Sequence, residues 1–491
     1  MPVQFFQQIP AKWLSLSLAV FAALLRLPHL GRPNVVLFDE TYYVKDGWSL
    51  VKYGYEKQFV DDANEKIIAG NLDIFVDKAS FVVHPPFGKW IIGWSAEIFG
   101  MNPTGWRMGV ALLGIFAVVM VHRIARRLFN NELIAYLAGF FMAIDGMAIV
   151  HSRAALLDQT LMFCVVAAFG SAVLDRDRVR ASLTAGNQRV SLSDRRWLFV
   201  TAGFLGLATA TKWSALWFVV VIGLLIWFWS ARARISLGQS LPWLRAFLYD
   251  CAYWIPLILA LLLGVYVLSW TGWLLSADAY SRDWATANPG EGISWLPESL
   301  RSLAAYHKAA WDFHVGLTSP HNYMANPWTW PLNLRPTSFH YENIPTGTLG
   351  CTASACSQEV LALGNPLIWW AGSLAVLHQV WRGIVYREAR AIAIVALFAA
   401  SWLPWMFFQQ RTVFSFYTIV MLPFLIFALA ASMGTFLGPA DAGRSRARRA
   451  FILASFVAAI VILSAFFYPL WVGDVIPYSG WQMRMWFPTW I

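Results

Sequence analysis

Charge is scarce in this chain. Of its 491 residues only 13% are Asp, Glu, Lys or Arg, while 58% are hydrophobic; soluble domains carry about a quarter charged residues, so a set of soluble domains is excluded. Cysteine is as sparse, with four residues, too few for a disulfide framework and without metal-ligand spacing. Cys164 and Cys251 fall in or beside apolar runs and read as small buried residues. Cys351 and Cys356 lie in a polar loop, where they would close a small disulfide ring outside the cytoplasm. A Gly-rich phosphate loop and a dinucleotide fingerprint are missing too, so any transferred group must arrive on a carrier other than a nucleotide. A lipid-linked phosphate suits an enzyme embedded in a membrane. No internal repeat, low-complexity tract, separate soluble domain or lipidation motif occurs. The net charge of +10 does not point to nucleic acid, because no binding module or extended basic patch accompanies it.

What the chain has is apolar length. Runs near 12–29, 106–122, 133–150, 156–174, 197–211, 213–231, 247–270, 366–381, 391–408, 412–437 and 450–471 approach the roughly 20 residues a helix needs to cross a bilayer. They predict an all-α polytopic membrane protein of about eleven transmembrane helices. The first run is followed by Arg26-Leu27-Pro28-His29 rather than a small-residue cleavage site, which predicts an uncleaved first helix. Arginines collect in alternate loops: Arg123 to Arg127, Arg176 to Arg196, Arg232 to Arg245, Arg382 to Arg390 and Arg444 to Arg449. Placing those loops in the cytoplasm satisfies the positive-inside rule throughout. The N-terminus is then cytoplasmic and the C-terminus outside.

The other loops hold the groups with chemistry. A first extracytoplasmic loop over 31–104 contains Phe38-Asp39-Glu40-Thr41-Tyr42-Tyr43 and His84-Pro85-Pro86-Phe87-Gly88-Lys89. Short turns hold His151 to Asp158, Lys212, and Gln409 to Arg411; a long loop spans 271–365 and is too rich in Trp, Pro and Tyr for disorder. Asp39 and Glu40 follow the first helix by about ten residues, where a carboxylate beside aromatic side chains gains basicity; a solvated loop pair is the competing reading. The two prolines hold His84 extended and delay a helix until Phe87, leaving either a rigid imidazole for a phosphate or simply a rigid turn. Arg107 opens the second helix, as a ligand or as a snorkelling side chain. Asp158 falls in the first turn of the fourth helix, where it caps or pairs with Arg153 or Lys212, since an unpaired carboxylate at membrane depth is costly.

Taken in order, the segments FDETYYV, HPPFGKW, SRAALLDQTLMF, ATKW, NPWTWPLNLRP, CTASACSQEVLALGNPLIWW and RTVFSFY resemble the actinobacterial branch of the polyprenyl-phosphate-mannose protein mannosyltransferases, relatives of the eukaryotic protein O-mannosyltransferases. The resemblance covers nearly the whole length. It implies one integral membrane domain over 1–491 with the GT-C glycosyltransferase fold, in a bacterial cell membrane. It also implies inverting transfer of mannose from polyprenyl-phosphate-mannose to Ser or Thr hydroxyls of exported polypeptides, with secretion machinery as a possible partner. By position, Asp39 is then the general base with Glu40 beside it, the choice between the two staying open. Arg107 is implied as a donor-phosphate ligand, and His84, Lys89, Arg153, Asp158, Lys212 and Arg411 surround the same pocket. Arg suits a leaving phosphate because its planar fork stays charged, so no metal and no cofactor are expected. The β-trefoil insert of the eukaryotic relatives is missing from 271–365. Two other readings compete: transfer of a different sugar from a lipid phosphate to a glycan or lipid, and transport of a lipid-linked substrate, which would call for broken mid-membrane helices and paired repeats.

Overall fold

The computed structural model describes residues 9–439 and 443–491, and each of the eleven apolar runs is helical over most of its length. Length separates them. Pro103–Phe129, Leu157–Thr184, Trp213–Ser236, Ala389–Phe408 and Gly443–Val472 are long and apolar enough to cross a membrane, and Pro242–Ala252 with Ile255–Ser269, bent by 43°, makes a sixth if the pair is one span. This is a multi-pass membrane protein. The count of eleven crossings is not reached by helix length, because several runs are interrupted. The run over 133–150 breaks at Asp145, whose extended backbone ends Glu132–Ile144 and whose carboxylate caps Gly146–His151 through the Met147 N–H. The run over 412–437 begins as a 3-10 turn, Ser415–Val420, before Leu422–Leu437. Helices of 13 to 16 residues such as Glu132–Ile144 and Leu422–Leu437 span about 20–24 Å, short of a hydrocarbon core of about 30 Å.

Leu157–Thr184 is buried on nearly every side and forms the centre of the bundle, whereas Gly443–Val472 lies at its edge with most of its surface open. The main apolar core runs through the bundle, from Leu18 in the first helix to Trp490, with smaller clusters such as the one around Trp48 and Trp106 beside it. Buried polar ties hold it. Arg26 ends the first helix by donating to the carbonyls of Met142 and Ala143, and Asp145 accepts from the Asn365 N–H and the Trp369 indole. Asn365 in turn caps Pro366–Val385 and reaches the Ile460 carbonyl and the Ser464 hydroxyl.

The two ends of the bundle differ. At the Arg-rich end, Arg195 pairs with Asp175 at 2.5 Å and Arg234 grips both oxygens of Asp250 at 2.7 and 2.9 Å; all four side chains are buried. At the opposite end stand two small antiparallel sheets. Lys57–Phe59 pairs with Phe75–Ala79, and Thr337–Pro345, Ala355–Ala362 and Val475–Pro477 form a three-stranded sheet in that order. Cys351 and Cys356 are joined in a disulfide where Ile344 pairs with Cys356, which closes the hairpin turn. The segment from 271 to 365 also carries an amphipathic helix, Glu298–Gly316.

Candidate active site

Two short helices bring the first loop onto the bundle. Glu40–Tyr53 carries the Asp39-Glu40 pair at its start, and Phe87–Phe99 begins where the two prolines release the backbone. They meet through Gly47 and Gly93: a Cβ on Gly93 would lie 2.1 Å from the Gly47 carbonyl oxygen, so no larger residue permits this approach. The Phe87 N–H donates to the Ala210 carbonyl at 2.9 Å. That bond ties the His-Pro-Pro segment to the turn that holds Lys212.

The adjacent acids have opposite surroundings. Glu40 is fully buried, and its oxygens accept from Arg107 Nε and Nη2 at 2.8 and 2.9 Å and from the Leu37 and Ala155 N–H groups at 2.8 Å each. Asp39 is half-buried, and among the described residues its only side-chain hydrogen bond comes from the Tyr43 hydroxyl, at 3.4 Å. Burial pushes the Asp39 carboxyl up to about 6, Lys212 opposing that shift and Asp158 adding to it. Phe38, just before it, takes a left-handed φ of 40°, a conformation that needs surrounding support in a bulky residue. Phe339, Phe414 and Phe416 supply it, with ring centroids 5.2 to 5.8 Å away.

A cavity of about 590 Å³ opens at Lys212 and Asp158, the two charges that act on Asp39, which is not itself among the lining residues. One part of its wall is polar: Lys212 pairs with Asp158 at 2.7 Å and stands 5.0 Å from the centre of the Tyr417 ring, and His84, His314 and Arg411 complete it. The rest is apolar and runs along Trp213–Ser236 and Ile255–Ser269 through Trp217, Val220 and Leu263, side chains that are also exposed at the bundle surface. Such a cavity accepts a molecule with an anionic head and a hydrocarbon tail. Burial and then Lys212 hold the His84 imidazole well below its usual range, so it is neutral here.

Of the residues expected at the site, His84, Asp158, Lys212 and Arg411 line the cavity, Asp39 lies within electrostatic reach of Lys212 and Asp158, and Lys212 rather than Arg153 is the partner of Asp158. Four expectations are corrected. Glu40 has no oxygen left for a substrate proton. Arg107 spends its N–H groups on Glu40 and on the carbonyls of Leu30, Pro33 and Val35, so none remains for a phosphate. Lys89 is buried against Glu56. Arg153 donates to the carbonyls of Arg26, Pro28 and His29, clamping the end of the first helix. His314 lies in no sequence motif, and Trp213 and Tyr417, the last residues of ATKW and RTVFSFY, have no role assigned from the sequence; the fold carries all three to the cavity wall. Against the expectation of none, an Asp-x-Asp tripeptide occurs, Asp175-Arg176-Asp177, but it sits at the Arg-rich end, engaged by Arg195, Arg127 and Arg176. Among the described residues no group of three or more His, Cys, Asp or Glu side chains is placed to hold a metal.

Comparison with known proteins bears on the whole length. Residues 16–278 match the family described as dolichyl-phosphate-mannose-protein mannosyltransferase, and residues 299–490 match the C-terminal four-transmembrane region of protein O-mannosyltransferases. The chain is 32% identical over 492 residues to the polyprenol-phosphate-mannose–protein mannosyltransferase of Mycobacterium tuberculosis, covering 96% of this chain and 90% of the relative. The enzyme of the same name from Mycolicibacterium smegmatis is 33% identical, with 96% and 92% covered. Among solved structures, the Saccharomyces cerevisiae protein O-mannosyltransferase Pmt1-Pmt2 complex bound to the sugar donor superposes with a TM-score of 0.76 at 16% identity, over 99% of this chain and 93% of that one. The Archaeoglobus fulgidus oligosaccharyltransferase AglB gives 0.55 at 14% identity, over 98% of this chain and 58% of its own. The fold is therefore the GT-C membrane fold.

Proposed function

This chain belongs to the dolichyl-phosphate-mannose-protein mannosyltransferase family, and from that we propose a division of labour for its site. The protein is a glycosyltransferase that moves mannose from polyprenol-phosphate-mannose to protein, which is O-mannosylation. Asp39 is the general base. It takes the proton of a Ser or Thr hydroxyl as the hydroxyl oxygen bonds to the anomeric carbon, while the bond from that carbon to the phosphate oxygen breaks and the lipid phosphate monoester leaves from the opposite face. The anomeric centre inverts. A base whose pKa lies near the working pH combines the right protonation state with sufficient basicity, and the value of about 6 at Asp39 fits that demand.

Negative charge grows on the leaving phosphate, so cations must face it. Lys212 and Arg411 are the two that line the cavity, and we assign the phosphate to them, with the prenyl chain along Trp217, Val220 and Leu263. These two charges serve in place of a metal; if chelator abolished transfer and Mg²⁺ or Mn²⁺ restored it, that assignment would fall. The observation carrying the whole reading is a cavity that joins two cations to an apolar groove, with a half-free acid, Asp39, in electrostatic reach of one of those cations, Lys212.

We further propose that the Arg-rich end faces the cytoplasm of a bacterial cell and the site faces outward, meeting exported polypeptides as the secretion machinery delivers them. The Arg-rich loops gathered at the far end support this. An impermeant thiol reagent should then leave a cysteine introduced at Asn187 unlabelled in intact cells and label it after lysis.

The direct test incubates purified protein in detergent with polyprenyl-phosphate-mannose and a Ser/Thr-rich peptide, followed by mass spectrometry. A hexose added by the wild type and not by Asp39→Asn is the expected result. Equal transfer by both removes Asp39 as the base.

A further inference from the structure

His314 lies outside every motif, yet its two ring nitrogens are both committed. Nε2 is 2.9 Å from the Val83 carbonyl oxygen, and Nδ1 is 3.2 Å from Arg411 Nη2. A carbonyl only accepts and a guanidinium only donates. The proton must therefore sit on Nε2, and Nδ1 must be bare.

We infer that His314 is the positioning residue of the donor-phosphate site, accepting from Arg411 through Nδ1 and so aiming the guanidinium into the cavity. The inference rests on Arg411 being a phosphate ligand. Arg411 follows a run of 3-10 turns, Leu403–Phe408, and its Nε is buried without a protein partner; the contact to His314 is what orients its fork. His314 is itself fixed, its ring tilted by 34° against that of His84 with centroids 4.9 Å apart, and it is carried on the last turn of Glu298–Gly316. Burial and then Arg411 push its imidazole down to about 4, in keeping with the neutral form that the two hydrogen bonds require. The His-Pro-Pro segment, through the Val83 carbonyl, thus sets the direction of a cation more than 300 residues away in the chain. A neutral acceptor also leaves the full charge of Arg411 for the phosphate, which an acidic partner would partly cancel.

The test measures binding of polyprenyl phosphate without its sugar, together with donor KM and kcat, for Arg411→Ala, His314→Phe, His314→Gln and the double variant Arg411→Ala/His314→Phe. Phe keeps the ring packing and has no acceptor; Gln offers an amide oxygen and an N–H. His314→Phe should weaken phosphate binding and raise donor KM about tenfold, the scale of one hydrogen bond to a charged group, with kcat changed far less and Gln restoring most of the loss. In the Arg411→Ala background His314→Phe should add nothing. If Arg411→Ala binds phosphate normally, the phosphate reading itself is wrong. If Arg411→Ala is impaired while His314→Phe binds normally, or if the two losses simply add, His314 does not act through Arg411 and the inference is overturned.

Discussion

Arg107 holds Glu40 with two parallel bonds, Nε to Oε1 at 2.8 Å and Nη2 to Oε2 at 2.9 Å, and both side chains are fully buried. A pair like this is bidentate and geometrically demanding. It fixes the start of Glu40–Tyr53, and with it the direction of Asp39 one residue earlier. Glu40 is thus the peg on which its neighbour, the proposed base Asp39, hangs.

Breaking that pair should unfold the site rather than weaken donor binding selectively. Removing one partner of a buried ion pair costs about 3–5 kcal/mol. Arg107→Ala and Glu40→Ala should each lower the midpoint of thermal unfolding in detergent and the yield of monodisperse protein. An Arg107→Ala variant that melts like the wild type and loses only donor affinity would return Arg107 to the phosphate.

Asp39→Asn should behave in the opposite way. General bases contribute about 10²- to 10⁴-fold, so transfer should fall by at least about 100-fold. Its folding should not suffer. A carboxyl whose folded pKa is raised binds its proton more tightly in the native state, so the ionised form opposes folding above that pKa. At neutral pH the Asn variant should melt at or above the wild-type temperature.

The same shift sets a pH profile. Asp39 must be ionised to accept a proton, and with a pKa of about 6 the rate at low donor and peptide concentration should climb through pH 6 and level off above about 7. An ordinary carboxylate would level off near pH 5. A profile flat from pH 5 to 8 would contradict the elevated value.

Lys212 is paired with Asp158 at 2.7 Å and faces the cavity, so Lys212→Met should weaken donor binding and also leave Asp158 uncompensated. The double change Lys212→Met/Asp158→Asn should recover stability without recovering donor use. Steady-state donor KM beside thermal unfolding separates the two effects. Recovery of both would reduce Lys212 to a structural counter-ion.

Much of the site is legible one segment at a time. The prolines at 85 and 86 set the start of Phe87–Phe99, and the carboxylate of Asp158 does find a cation, both as local rules require. Which cation is another matter. Arg153 is five residues from Asp158 and Lys212 is 54, yet Arg153 turns away to cap the first helix. Sequence distance carries no information about a choice made between carbonyls and a carboxylate that meet only in the folded bundle.

By itself, the order of residues determined that this protein lives in a membrane, that its arginine-rich loops alternate with the loops that hold its reactive groups, and to which family it belongs. Those properties follow from hydropathy summed over helix-length windows, from charge in alternate loops, and from motifs short enough to read directly. Only the tertiary structure left Asp39 less engaged than Glu40, committed Arg107, Lys89 and Arg153 to partners within the protein, and brought His314 to Arg411. Successive side chains at the start of a helix point about 100° apart, so neighbours in the chain face different surroundings. Burial and hydrogen-bond saturation come from partners tens or hundreds of residues away, and these decide whether a charged group is free to react.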